Sequence, residues 1–283
     1  MAGAKVRRLR EGDIEQAIAL TDLEAWGYAR EDIRRLLDLS PDGCFAAELE
    51  GRVVGLLSTT PYGKVAYLGT VIVDPVLRGQ GIGKAMMDAA LARLDDSGIE
   101  TVRLNAYVNT VTFYETFGFR REYENYRWEG GPVVGASPHV RLVRASDLPS
   151  IDAFDRPFFG ASRRSLLDRI LHDFPRTSFV AERDGRVVGY LVGNSVSQAC
   201  EIGPWIVDPA IPEVAPALLH ALVAAHRTDV YAFGAPAVHP RPHRFAREHG
   251  FKEAFRSVRM VRGRRTYEGD PQGIWSFAGL EKG

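Results

Sequence analysis

Residues 73–87, VDPVLRGQGIGKAMM, join the end of an apolar run to a helical pattern through a loop holding three glycines, an arginine and a lysine. The first backbone N–H groups of a helix have no partner inside it, and the helix dipole favours negative charge there. Glycine lets those groups approach a phosphate with no Cβ in the way. Each charge-assisted bond contributes about 1.5–3 kcal/mol, so several together hold a pyrophosphate. Two common phosphate motifs do not fit the spacing. Counted from Gly79, the third Rossmann glycine falls on Lys84, and a Walker loop needs Ser or Thr where Ala85 stands. What remains is Arg78-x-x-Gly81-x-Gly83, preceded by Val73-Asp74-Pro75.

The elements that must position this loop are legible from periodicity. Asp13 followed by Gln16 reads as a capping box before a helix carrying Ile14, Ala17 and Ile18, and a second helix covers residues 30–38. CFAAELEGRVVGLLST gives two strands around a Glu-Gly turn, and KVAYLGTVIV gives another. After the glycines, Met86, Ala90 and Leu94 form a helical stripe. IETVRLNAY is a strand, TVTFYETF a short helix stopped by Gly118, and EYENYRW a last strand. The order predicts an α/β fold of the α+β kind, a mixed sheet with helices on both faces.

The chain repeats this order. VRRLREGDI at residue 6 returns as VRLVRASDL at 140, FAAELEGRVVGLL at 45 as FVAERDGRVVGYL at 179, and VDP at 73 as VDP at 207, all at an offset of 134. FGFR at 117 pairs with HGFK at 249, an offset of 132, so two residues are missing in between, most simply from the loop. We therefore expect two tandem domains, residues 1–130 and 139–283, joined by the Gly- and Pro-rich EGGPVVGASP.

Composition narrows the partners. Thirty-six basic and thirty-six acidic residues cancel, which removes the field expected of a nucleic-acid or membrane-surface protein, and no stretch reads as a signal peptide or a span. Cys44 and Cys200 are too few and too far apart for zinc or a disulfide framework, so a cytoplasmic location is expected. In HPRPH, prolines on both sides of Arg241 argue against helical histidine spacing, and no metal is expected. The arginines at 256, 259, 262, 264 and 265 read as a solvated strand and tail. A second copy of the chain, forming a homodimer, is a candidate partner.

The glycine loop resembles the coenzyme A signature of the GNAT family, the Gcn5-related N-acetyltransferases. The resemblance covers residues 5–128 and includes NTVTFYETFGFR at 109–120, with its aromatic pair Phe113-Tyr114. It implies that Val71, Ile72 and Val73 pair with the pantetheine arm of acetyl-CoA and that a main-chain N–H there polarises the thioester. Arg78, Gly79, Gln80, Gly81, Ile82, Gly83 and Lys84 would hold the pyrophosphate. Tyr114 would be the acid that protonates the leaving thiolate; its other reading is an aromatic at the edge of the core. Asn109 either bonds the pantetheine or caps the short helix. Glu24 is a candidate base, and Trp26 and Tyr28, with Tyr62 and Tyr67, either line an acceptor pocket or pack in the core.

The second copy reads AIPEVAP where the glycines should be, with Pro212, Glu213 and Pro216, and Ala246 at the position of Tyr114. Proline has no N–H to donate and glutamate repels phosphate. The second copy resembles the degenerate C-terminal domain of two-domain GNAT proteins, through FFGASRRSLLDRIL, EIGPWIVDP and FRSVRMVRG, with a structural or acceptor-site role. The resemblance implies an acyltransferase moving an acetyl group from acetyl-CoA to a small-molecule amine. A non-catalytic acyl-CoA sensor, or an enzyme using a longer acyl-CoA or a carrier-protein-bound donor, stands beside it.

Overall fold

A computed structural model describes residues 3–195, 199–265 and 267–283. The chain divides into two compact units, one running to Leu104 and including Lys282, the other running from Asn105 to Glu281 and including Gly283.

The first unit contains β1 (Lys5–Arg8), α1 (Ile14–Asp22), α2 (Arg30–Leu39), β2 (Cys44–Leu49), β3 (Arg52–Tyr62), β4 (Val65–Val73), α3 (Ile82–Asp96) and the start of β5 (Thr101–Tyr107). The strands lie in sequence order, antiparallel from β1 to β4, with β5 parallel to β4. Glu50 and Gly51 both take positive φ and close the tight β2–β3 turn expected from Glu-Gly. β3 is buried at every position from Val53 to Thr60, as befits a strand covered on both faces. Ile14, Ala17 and Leu20 of α1 and Ile33 and Leu36 of α2 pack on one face. Gly55 lets Met86 of α3 press onto the sheet: a Cβ there would lie 2.9 Å from the methionine methyl.

One local expectation fails. Asp13 does not cap α1; its carboxylate accepts the Arg10 N–H at 2.8 Å and a bidentate pair from Arg7 at 2.7 and 3.0 Å. Gln16 instead accepts the Val53 N–H at 2.9 Å, tying α1 to β3. The arginine contacts draw the Asp13 carboxyl below its usual range. The same clamp recurs at an offset of 134. Arg141 bonds Asp147 at 2.6 and 3.0 Å and Glu182 at 2.6 Å, as Arg7 bonds Asp13 and, at 2.6 Å, Glu48. The duplication therefore extends to geometry.

The second unit contains α4 (Val111–Glu115), β6 (Arg120–Gly130), β7 (Val140–Leu142), α5 (Leu148–Phe159), α6 (Arg164–Asp173), β8 (Ser178–Arg183), β9 (Arg186–Asn194), β10 (Cys200–Val207), α7 (Val214–Ala225), β11 (Tyr231–Pro236), α8 (Pro240–Glu248), β12 (Lys252–Gly263) and β13 (Ile274–Ser276). Its strand order is β12-β6-β11-β10-β9-β8-β7, with β13 also on β10. β6, the last strand of the first repeat in sequence, is hydrogen-bonded on one side to β11 and on the other to β12, both from the second repeat. That exchange moves the break between compact units to residue 104, away from the linker at 129–138.

HPRPH is also corrected. Pro240 is the first residue of α8 and Pro242 the third, positions whose N–H groups have no helical partner to lose. His243 accepts the Trp128 indole N–H at 3.0 Å on Nδ1 and donates through Nε2 to Pro236 at 2.8 Å. His239 donates from Nδ1 to Ile274 at 3.0 Å. Arg259, expected in solvent, is 8% exposed and paired with Glu122 at 2.9 Å.

Burial pushes the His239 imidazole down to about 4, from an ordinary 6.5. The unfolded chain thus binds more protons than the folded one between those values. The contribution of this group to stability is expected to be complete above about pH 6.5 and to fall, by up to about 3 kcal/mol, as pH drops towards 4. His239→Gln is expected to flatten that limb of a urea midpoint against pH; an unchanged limb would assign it to other groups.

Candidate active site

The loop between β4 and α3 is built as its composition demands. Asp74 accepts the Val76 N–H at 3.1 Å and starts a single 3-10 turn over Pro75–Leu77. Gly79 and Gly81 then take φ of 78° and 81°, the left-handed region where an L side chain is strained. Gly81 is the N-cap of α3, whose first internal bond runs from Ala85 N–H to Gly81 O at 3.0 Å. The amides of Ile82, Gly83 and Lys84 therefore donate to nothing inside the helix. Gly79, Gln80 and Gly81 are exposed, and added Cβ atoms at both glycines would meet open space. A surface nest of donors at a helix N-terminus fits the pyrophosphate of acetyl-CoA.

Arg78 directly precedes these glycines in the chain. Its Nε donates to Val73 O at 3.1 Å, and its guanidinium pairs with Glu24. Lys84 pairs with Asp88 at 2.6 Å one turn along α3. Glu24 belongs to the α1–α2 loop, in which Ala25 and Gly27 take positive φ, and its pair with Arg78 ties this loop to the residue that precedes the glycines. Trp26 and Tyr28 meet in a tilted contact, ring centroids 6.0 Å apart, and lean on the core between α1, α2 and the sheet. Tyr62 and Tyr67 are buried edge to face at 6.3 Å, the Tyr62 hydroxyl donating to Lys282 O at 2.9 Å.

β4 and β5 pair only from Val65–Tyr67 to Thr101–Arg103, and β4 then runs on to Val73. A residue that the sequence did not flag shapes this stretch. Thr70 has φ of 53°, and the β3–β4 register shifts there, between Ile72 opposite Leu56 and Gly69 opposite Ser58. Its hydroxyl bonds Ser58 at 2.9 Å. The bulge leaves Thr70 and Val71 out of the β3–β4 register. The only hint was Gly69 in mid-strand.

Tyr114 and Asn109 belong to the second unit. Tyr114, on α4, is 8% exposed and packs edge-on against Phe113 and Phe119 at 5.2 and 6.2 Å. Burial raises its phenol well above the usual value, so it holds its proton throughout the neutral range. Asn109 is exposed in the turn before α4, where Thr110 takes the N-cap position, which removes the capping role considered for Asn109.

The second repeat has lost the nest by different means. Only six residues, 208–213, separate β10 from α7, against eight, 74–81, between β4 and α3: the two missing residues. Its amides turn inward, Ile211 to Asp208 at 2.9 Å, Val214 to Ile211 at 3.2 Å and Ala215 to Pro212 at 3.1 Å, and Pro216 has none. Glu213 stands at the N-cap, paired with Arg183 at 3.1 Å. Phe251 N–H bonds Ala246 O as Phe119 N–H bonds Tyr114 O, which puts Ala246 in the tyrosine's place.

Residues 13–119 match the family model "Acetyltransferase (GNAT) family", and residues 151–276 match "Acetyltransferase (GNAT) domain". The chain is a tandem member of the GNAT acetyltransferase family. YitH of Bacillus subtilis, an uncharacterized N-acetyltransferase, is 23% identical over 253 residues and covers 86% of each chain. A mycothiol acetyltransferase of Cellulomonas flavigena is 34% identical over 125 residues, 39% of this chain and 36% of that protein. A crystal structure from Pyrococcus horikoshii, assigned as an acetyltransferase, superposes with a TM-score of 0.85 at 23% identity, over 100% of this chain and 97% of that one. As a GNAT protein the chain is an acyltransferase acting with coenzyme A thioesters. Among the described residues, no helix is long and apolar enough to cross a membrane.

Proposed function

We propose that the chain moves the acetyl group of acetyl-CoA to the amine of a small molecule by direct attack. The observation that carries the reading is the nest of Gly79–Lys84 amides at the start of α3, with the left-handed glycines that leave it open. In this reading the nest and Arg78 hold the pyrophosphate, and Val71, Ile72 and Val73 bond the pantetheine arm beyond the last β4–β5 pair. A main-chain N–H at the bulge stabilises charge developing on the thioester oxygen. The neutral amine nitrogen forms the new C–N bond, the C–S bond breaks, Tyr114 gives its proton to the departing sulfur, and the proton shed by the nitrogen passes to solvent, from which the phenol is restored. The mycothiol acetyltransferases among its relatives support a small-molecule acceptor. The nest and β4 read the arm and not the acyl group, which keeps longer acyl-CoA and carrier-bound donors within the same chemistry. The second repeat takes no donor. With both cysteines buried as free thiols, a reducing cytoplasm is the proposed location.

The test is thiol release from acetyl-CoA across a panel of amines, for the native chain and Tyr114→Phe. Loss of the acid is expected to lower kcat by about 10²–10⁴-fold with the donor KM unchanged. Binding without turnover across the panel would make the protein a sensor.

Glu24 is better placed to compete with phosphate for Arg78 than to act as base, the role considered for it above. Removing its charge frees the guanidinium. Glu24→Gln is expected to lower the donor KM by about two- to fivefold and leave kcat intact, in line with the modest worth of an exposed pair. A collapse of kcat would restore the base.

A further inference from the structure

The parting of two parallel strands occurs twice in this chain. In the second unit β10 and β11 pair from Cys200–Ile202 to Tyr231–Phe233 and then separate, as β4 and β5 do after Tyr67 and Arg103. The separation of β10 from β11 is filled. β13 pairs antiparallel with β10, Trp205 opposite Ser276 and Ile206 opposite Ile274. On the other side Phe277 N–H donates to Gly234 O of β11 at 3.1 Å. Ser276 joins both strands where they part: its Oγ accepts the Gly234 N–H at 3.1 Å and donates to Ile202 O at 2.7 Å.

The two strands are shaped around this segment. A Cβ on Gly203 would lie 2.0 Å from Phe277 O, and one on Gly234 would lie 2.1 Å from the Phe277 ring. At an offset of 134 Gly203 corresponds to Gly69, beside the bulge of β4, and β10 too shifts register at this point. Ser276 is fully buried and Ile274 and Trp275 are 5% exposed, Trp275 lying against Trp205, His239 and Phe245 at 5.2, 5.8 and 5.9 Å.

We propose that the opening between β10 and β11 is a binding cleft for an extended arm whose permanent occupant is the chain's own segment Ile274–Phe277. The comparison rests on the reading of the β4–β5 opening as the donor cleft. An arm that carries amides and lies between two parted strands must satisfy both rows of main-chain groups, and the segment does so with its backbone and one hydroxyl. An occupant tethered by the chain itself needs no phosphate anchor, which accounts for the inward-turned loop at 208–213.

Amide hydrogen exchange on the full chain, with and without acetyl-CoA, tests this. Residues 274–277 are expected to exchange at least about 100-fold more slowly than exposed loop amides, with no change on adding donor. Gly234→Ala, which drives a methyl into the Phe277 ring, is expected to expose the segment and lower the melting midpoint. Phe277→Ala in the same chain removes the clash and should restore protection of 274–276. Ser276→Ala, a milder change, should speed exchange at 274–277 by about 10- to 100-fold, the loss of the two buried bonds made by its hydroxyl. Fast exchange in the native chain, failure of Phe277→Ala to rescue Gly234→Ala, or exposure of the segment by acetyl-CoA would each overturn the proposal. Calorimetric titration should find one acetyl-CoA per chain. Two would overturn the self-occupied cleft, whereas none would refute the donor reading of the first repeat and leave the exchange data to decide this one.

Discussion

Gly81→Asp is expected to raise the donor KM by about 100- to 1,000-fold while the protein stays folded. Gly81 sits at φ 81° with open space where a side chain would go. Aspartate tolerates the left-handed region better than most residues, so the cost to the fold is only about 1 kcal/mol. The cost to the donor is larger. A carboxylate at the N-cap would accept the nest's own N–H groups, as capping aspartates do, and would face the pyrophosphate with like charge. Losing two charge-assisted bonds of about 1.5–3 kcal/mol each accounts for a factor of at least 100. Glu213→Gly, at the matching N-cap of α7, should leave donor affinity unchanged, since that loop donates its amides to itself. Calorimetry on the two variants decides it. A donor affinity within twofold of native for Gly81→Asp would remove the nest from the site.

The first repeat was legible because its signals are local. Apolar residues at helical spacing, a Glu-Gly turn between alternating runs, and glycines at a strand end each specify their own few residues, and all the elements named from them are present. The offset of 134 was legible for the same reason, and the Arg7 and Arg141 clamps bear it out in space. What escaped depends on partners distant in sequence. Asp13 and Gln16 have the spacing of a capping box, but Arg7 and the Val53 N–H compete for their oxygens and win. Arg259 reads as solvated until Glu122, in a strand more than a hundred residues earlier, supplies a buried countercharge. Pro240 and Pro242 read as helix breakers because nothing local shows that the helix starts there. The glycine loop and the helix start behind it are contiguous in sequence and were legible together. The bulge at Thr70, which exists only through pairing with β3, was not.

Expressed separately, residues 1–130 and 139–283 are expected to form no soluble, cooperatively folding proteins, and to recover both when expressed together. The repeats are separable in sequence at EGGPVVGASP, where Val134 is 78% exposed, so cleavage there should leave the protein assembled. Their strands are not separable. β6 lies between β11 and β12, registered from Asn125–Gly130 on one side and Arg120–Glu129 on the other. Residues 139–283 alone would lack that strand and leave two facing rows of unpaired N–H and C=O groups, together with the pocket filled by Trp128. Residues 1–130 alone would carry a strand without either partner and expose Trp128, which is 4% accessible and bonded to His243 at 3.0 Å. An aromatic of this size contributes about 3–5 kcal/mol, a large part of the stability of most domains, before the ladder bonds are counted. Circular dichroism melts and size-exclusion elution of each piece, alone and co-expressed, are the measurement. If residues 1–130 melt cooperatively as a monomer and retain full acetyl transfer, the exchanged strand is dispensable, and each repeat folds on the strength of its own sequence.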